Sequence, residues 1–164
     1  LADSPYNKRR QACERVAKRL GLETLRDATL EMLGTILPDI TAEDYFRAKF
    51  VIEEKERVLA VCDALNAGDF ETVGRKMYET HEGLSKDYAV SCEELDFLND
   101  LAKECGVTGS RIMGGGFGGC TINLVRKELT DAFVQTAKDR FNEKYGHELK
   151  VYPVVISDGA RKLE

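Results

Sequence analysis

Gly109-Ser110-Arg111-Ile112-Met113-Gly114-Gly115-Gly116-Phe117-Gly118-Gly119-Cys120 is the stretch on which the fold reading turns. Five of the six residues from 114 to 119 are glycine. Without a Cβ, such residues take positive φ and let a neighbouring backbone or a ligand come close. Successive amides in such a loop also form a concave nest for an anion. Ser110 to Met113 reads as a strand, and Thr121-Ile122-Asn123-Leu124-Val125 reads as another. The run is therefore a glycine loop between two strands. It serves either as a tightly packed hairpin or in an anion-related role, and spacing alone does not choose.

Two glycine motifs can be tested against it. Gly114, Gly116 and Gly119 satisfy G-x-G-x-x-G. A dinucleotide fingerprint needs that loop to open a helix. Here it opens a β-branched run, so that reading fails. The protein-kinase glycine loop does lie between strands, but it is followed by V-A-I-K, H-R-D and D-F-G. None of these occurs.

Composition bounds the rest. The chain has 164 residues, 43% of them hydrophobic, which is enough for one domain with a sizeable core. With 24 basic and 29 acidic residues the net charge is −5, so no electrostatic case exists for nucleic acid or an anionic membrane. Neither a signal peptide nor an apolar run near membrane-spanning length occurs. The five cysteines, at 13, 62, 92, 105 and 120, form no C-x-x-C pair, so no zinc site is expected. Cys13, Cys62 and Cys105 lie in apolar helical patterns and read as small core residues in a reducing cytosol. His81 and His147 stand far apart, and neither is assigned metal or acid–base chemistry.

Helix punctuation is clear along the first two thirds. Ser4-Pro5 starts a helix that runs to about Leu20 and ends at Gly21, with the stripe Tyr6, Cys13, Val16, Ala17 and Leu20. Leu30 to Leu37 is a second element, stopped by Pro38. Thr41 caps a long helix that ends at Gly68, and Phe70 to about Ser85 is the next. The charge run Glu53-Glu54-Lys55-Glu56-Arg57 reads as a solvated face. Ser91 and Glu94 form a capping box before a helix that Gly106 closes. Leu129, Phe133, Ala137 and Phe141 mark a helix ending at Gly146. Val151 to Ile156 reads as a last strand, at an edge because Pro153 lacks a donor. The order after Ser91 is helix, strand, glycine turn, strand, helix, strand. One more strand in front would complete a βαββαβ unit. The fold class is α+β, mostly helical, with a small antiparallel sheet.

Residues 109 to 120 resemble the third signature motif of the GHMP superfamily of sugar and metabolite kinases, closest to its galactokinase branch. Tyr6-Asn7-Lys8-Arg9-Arg10-Gln11-Ala12-Cys13-Glu14 is similar to the family's Tyr-x-x-Arg-Arg-x-x-Cys-Glu segment. Gly68-Asp69, Gly74, Thr80-His81-Glu82-Gly83-Leu84-Ser85 and the segment from Tyr88 to Asp96 follow in the family's order. The likeness spans nearly the whole chain. It implies that residues 1–164 are one GHMP C-terminal domain, with a ferredoxin-like antiparallel sheet and a large helical portion. The family's Gly-Glu-His-x-Asp segment, its serine-rich phosphate loop and its catalytic aspartate have no counterpart here. The expectation is the C-terminal part of a longer enzyme, cut just before Tyr6, with no catalytic residue and no metal ligand in this part.

The resemblance further implies ATP and magnesium as the whole enzyme's cofactors, galactose as its substrate and the N-terminal half as partner of this domain. Tyr6 matches the family tyrosine that contacts the sugar; the competing reading is that it extends the helix stripe. Gly114, Gly115, Gly116, Gly118 and Gly119 are candidates for an active-site loop, by direct phosphate contact or by supporting the phosphate loop. Arg9 and Arg10 read either as bidentate hydrogen-bond donors to phosphate or, more in keeping with their acidic neighbours, as structural salt bridges. Met113 stands where many galactokinases carry threonine. Kinases for N-acetylgalactosamine or arabinose, a galactose-sensing regulator and a free-standing ligand-binding module are the rival readings.

Overall fold

The computed structural model describes residues 4–159. Six α-helices and one hairpin follow in the order α1 (Pro5–Arg19), α2 (Leu30–Thr35), α3 (Ala42–Ala67), α4 (Phe70–Lys86), α5 (Glu93–Glu104), β1 (Gly109–Met113), β2 (Cys120–Leu124) and α6 (Thr130–Tyr145). Side-chain caps set the helix starts. Ser4 accepts from the Asn7 amide, Thr29 from Met32, Thr41 from Asp44 and Asp69 from Thr72, each meeting an amide with no partner inside its helix. Gly68 and Gly146 end α3 and α6 in the left-handed conformation. The second element is shorter than expected: α2 stops at Thr35, and Leu37–Asp39 is a 3₁₀ turn around Pro38.

One core lies among the first three helices. Val16 and Ala17 of α1, Leu33 of α2, and Ala48 and Ile52 of α3 enclose Leu25 and Ala28. A second layer packs α4 and α5 onto the hairpin. A Cβ on Gly109 of β1 would lie 2.5 Å from Gly74 Cα, so two glycines let helix and strand cross at backbone contact. Asn99 of α5 donates to the Ser110 carbonyl at 2.8 Å, meeting a buried polar group with a buried partner. Phe97 of α5 meets Phe141 and Tyr145 of α6. The hairpin is antiparallel, pairing Gly109 with Leu124 and Met113 with Cys120, and residues 114–119 close it.

Several expectations change. Val151 to Ile156 forms no strand, and Ile156 is fully exposed. A strand exists by pairing its amides and carbonyls. In a βαββαβ unit the last strand lies beside the first, and no such first strand is among the described residues. The capping box also does not form: α5 begins at Glu93, and Ser91 Oγ donates instead to the Asp96 carboxylate at 2.6 Å. Cys62 is exposed rather than in the core.

The charge run on α3 is not a simple solvated face. The Arg57 side chain is 11% accessible, pairs with Glu53 and Glu54 and lies over the Phe50 ring. Val58 and Leu59 face outward instead. The aliphatic stem and flat guanidinium of arginine allow this burial once its charge is paired.

Candidate functional site around the glycine loop

The hairpin loop is held between the first turn of α1 and the link from α4 to α5. The Tyr6 phenol lies directly on Gly115, where any Cβ would overlap the ring and its hydroxyl. Gly116 has φ +80 and sits on Val90, leaving no room for a side chain between them. The Phe117 amide donates to the Val90 carbonyl at 2.6 Å. Gly114, Gly118 and Gly119 also have positive φ, and nothing within 4 Å stands where their side chains would be. The loop thus has a packed side, 115 and 116, and an open side, 114, 118 and 119.

Tyr6 does not belong to the buried stripe of its helix. Ala12, Val16 and Ala17 are buried, whereas Tyr6 is 52% exposed. Its ring meets Phe117 edge-on, with centroids 5.4 Å apart and planes at 78°. Arg9, one turn along α1, donates to the Tyr88 and Ala89 carbonyls at 3.1 and 2.7 Å, and its guanidinium lies 5.5 Å from the Phe117 centroid. Its anchor is thus backbone carbonyl, neither an acid nor a free phosphate site. Arg10 makes an exposed pair with Glu14 at 3.4 Å. The fold so brings Tyr6 and the glycine loop together across more than a hundred residues.

Sequence reasoning placed Phe117 and the segment from Tyr88 to Val90 inside motifs but gave neither a role at the site. A signal for Phe117 was present: it is the one residue with a Cβ in a loop of glycines. Its φ is +58, and Ala89 has φ +52, a conformation uncommon outside glycine, asparagine and aspartate.

A second polar cluster lies behind α4. Asp96 accepts from Ser85 and Ser91 and pairs with His81 Nε2 at 3.0 Å. His81 is buried and its Nδ1 has no partner. Burial holds the imidazole below its ordinary value, against the opposing pull of Asp96. Both hydroxyls point at the carboxylate, not at the imidazole, so this is a latch between α4 and α5 rather than a nucleophile relay. Burial likewise raises the Cys13 thiol to about 11, which makes it inert packing. Among the described residues no group of three or more histidine, cysteine or acidic side chains suits a metal ion.

A groove of about 370 Å³ between α3 and α4 is lined by Lys49, Glu53, Arg57, Glu79, Lys86 and Asp87. Its cations are already paired, Lys49 with Asp87 at 2.6 Å and Arg57 with Glu54 at 2.7 Å. They have no charge left over for an anion.

The family described as "GHMP kinases C terminal" matches residues 62–144. The galactokinase of Thermotoga neapolitana is 42% identical over 164 residues, which is 99% of this chain and 46% of the relative. The human galactokinase is also 42% identical over 164 residues, covering 99% of this chain and 41% of its own length. The crystal structure of Lactococcus lactis galactokinase complexed with galactose matches with a TM-score of 0.80 and 30% identity, over 90% of this chain and 40% of that one. The chain thus spans less than half the length of these relatives.

Proposed function

The chain belongs to the GHMP kinase family, and from that membership we propose that it is the C-terminal domain of a galactokinase. The full-length enzyme transfers the γ-phosphoryl group of ATP to the anomeric hydroxyl of galactose, with magnesium. Phosphoryl transfer needs positioning and charge stabilisation more than covalent chemistry from the protein. In this reading the N-terminal half holds nucleotide and magnesium and supplies the catalytic aspartate. This domain walls the sugar pocket and buttresses the nucleotide loop.

The observation that carries the reading is the placement of Tyr6. A tyrosine that merely extended a helix stripe would be buried; this one stands half-exposed on the glycine loop. There its hydroxyl can bond a sugar hydroxyl while its ring packs on an apolar hexose face. The glycine loop fits a supporting role beside an anion, because its open side leaves the backbone at 114, 118 and 119 free for close approach.

The protein works in the reducing cytosol, on galactose and ATP, docked on its own N-terminal domain and without nucleic acid or membrane. The five free thiols support that compartment, and no helix among the described residues is long and apolar enough to cross a membrane.

The test is ADP release with magnesium and ATP, offering galactose, N-acetylgalactosamine and arabinose in turn. The full-length protein is expected to prefer galactose, and residues 1–164 alone are expected to give no turnover above buffer. Turnover by the isolated chain would overturn the assignment of chemistry to the other half. A full-length protein that binds galactose without releasing ADP would replace the enzyme with a sensor.

A further inference from the structure

Phe117 is an anomaly of the loop. The five residues around it are glycine, and its own φ of +58 is one that glycine adopts freely and a residue with a Cβ does not. Strained backbone persists only where the surroundings over-determine it. Core burial is not the compensation here, since Phe117 is 42% exposed. The residue is nonetheless fixed in two ways: its backbone amide is bonded to Val90, and Arg9, itself clamped by two carbonyls, lies over its ring. What the fixed ring then meets is Tyr6, edge-on at 5.4 Å.

We propose that Phe117 is a positioning residue for sugar binding: it holds the Tyr6 phenol in the orientation that meets the substrate hydroxyl. The proposal rests on the reading of Tyr6 as the sugar contact. Tyr6 starts a helix at the surface, and its lower face rests on a glycine that offers no side chain. Without a neighbouring ring its phenol would sample other rotamers, and each binding event would have to order it again. The series Arg9, Phe117, Tyr6 transmits the rigidity of the Tyr88–Val90 backbone to a phenol that otherwise rests on the Gly115 backbone. The effect belongs to the sugar. The nucleotide constant should not follow it, and kcat should change little.

The experiment is steady-state kinetics on the full-length enzyme with Phe117→Gly, Phe117→Tyr, Tyr6→Phe and the double variant Tyr6→Phe/Phe117→Gly. Glycine accepts the loop's φ, so Phe117→Gly removes the ring without adding backbone strain. The galactose KM should rise about 2- to 12-fold in Phe117→Gly, the range an aromatic pair supports. Phe117→Tyr, which keeps the ring, should restore it to near normal. In the double variant, ring loss should add nothing to the effect of Tyr6→Phe. An unchanged galactose KM in Phe117→Gly, an equal rise for ATP, or effects that multiply in the double variant would each overturn the positioning role while leaving Tyr6 as the sugar contact. An unchanged galactose KM in Tyr6→Phe would overturn the Tyr6 reading itself, and the role of Phe117 with it.

Discussion

Gly116→Ala separates a loop that merely closes a hairpin from one that shapes a site. Its φ is +80, where an alanine is strained by about 1–2 kcal/mol. The added carbon would lie 2.9 Å from Val90 Cβ and 3.0 Å from the Val90 carbonyl carbon, and closer still to the carbonyl oxygen. Those atoms are backbone or stiff β-branched side chain, so the loop or the Tyr88–Val90 link must move. Either movement loosens the 2.6 Å bond from the Phe117 amide to Val90, worth about 0.5–1.5 kcal/mol net. With residual overlap the cost comes to about 2–4 kcal/mol, a fall in Tm of about 4–16 °C for a domain of this size. Gly114→Ala is the natural comparator. It has φ +79 and open space, so it carries the strain without the collision, about 1–2 kcal/mol. The assay is Tm beside turnover per folded molecule, both on the full-length enzyme. The displaced loop carries its open side, Gly114, Gly118 and Gly119, with it, the backbone proposed to face the nucleotide-holding half. Turnover per folded molecule should therefore fall at least about tenfold in Gly116→Ala, the equivalent of about 1.4 kcal/mol of barrier. A lowered Tm with intact turnover would return the loop to packing alone and refute the reasoning.

Two further outcomes test the frame that carries the loop. Gly74→Ala would drive a Cβ into the Thr108 backbone, so α4 must lift off β1; a loss of about 2–4 kcal/mol in a denaturant titration is expected, and a loss below 1 kcal/mol would deny the close crossing. His81, held below its ordinary value by burial, binds a proton more readily in the unfolded chain than in the folded one. Stability should therefore rise with pH in that interval and be lost as pH falls below about 6.5 toward the depressed folded value. The unfolding free energy followed between pH 7.5 and about 5.5 should drop more steeply than in His81→Gln. Equal slopes would show that another group governs the acid limb.

Most helices were legible because their ends are written locally. Ser4-Pro5, Thr41, Gly68 and Gly146 each act within a turn, and each does in the structure what its residue type predicts. The hairpin was legible for a similar reason, as two strand-like runs flank a glycine-rich loop. What failed depends on partners that spacing alone does not single out. Val151 to Ile156 has strand composition but nothing to pair with among the described residues. Ser91 had two kinds of partner within reach, and donating to the Asp96 carboxylate won over accepting from the helix amides. On α3 charged and apolar residues are interspersed all round, so periodicity could not say that Arg57 turns in and Val58 and Leu59 turn out. The meeting of Tyr6 with Gly115 was not readable from spacing at all; the likeness to a kinase family made Tyr6 worth following.

The glycines of the loop have two separate physical reasons, which the sequence merges into one run. Gly115 is glycine because a phenol occupies the place of its side chain, and Gly116 because Val90 does and because its φ is +80. Gly114, Gly118 and Gly119 are glycine for their backbone angles alone, since the space around them is open. Packing explains the first two and says nothing about the other three. A loop that only joined β1 to β2 could use a two-residue turn. Six residues, with backbone bared on one side and a strained, clamped aromatic between the two kinds of glycine, make sense when the open side receives something and the ring holds the tyrosine that receives something else. On the proposed function, that division gives the sugar side of the site to Tyr6 and Phe117, and the side facing the other half of the enzyme to Gly114, Gly118 and Gly119.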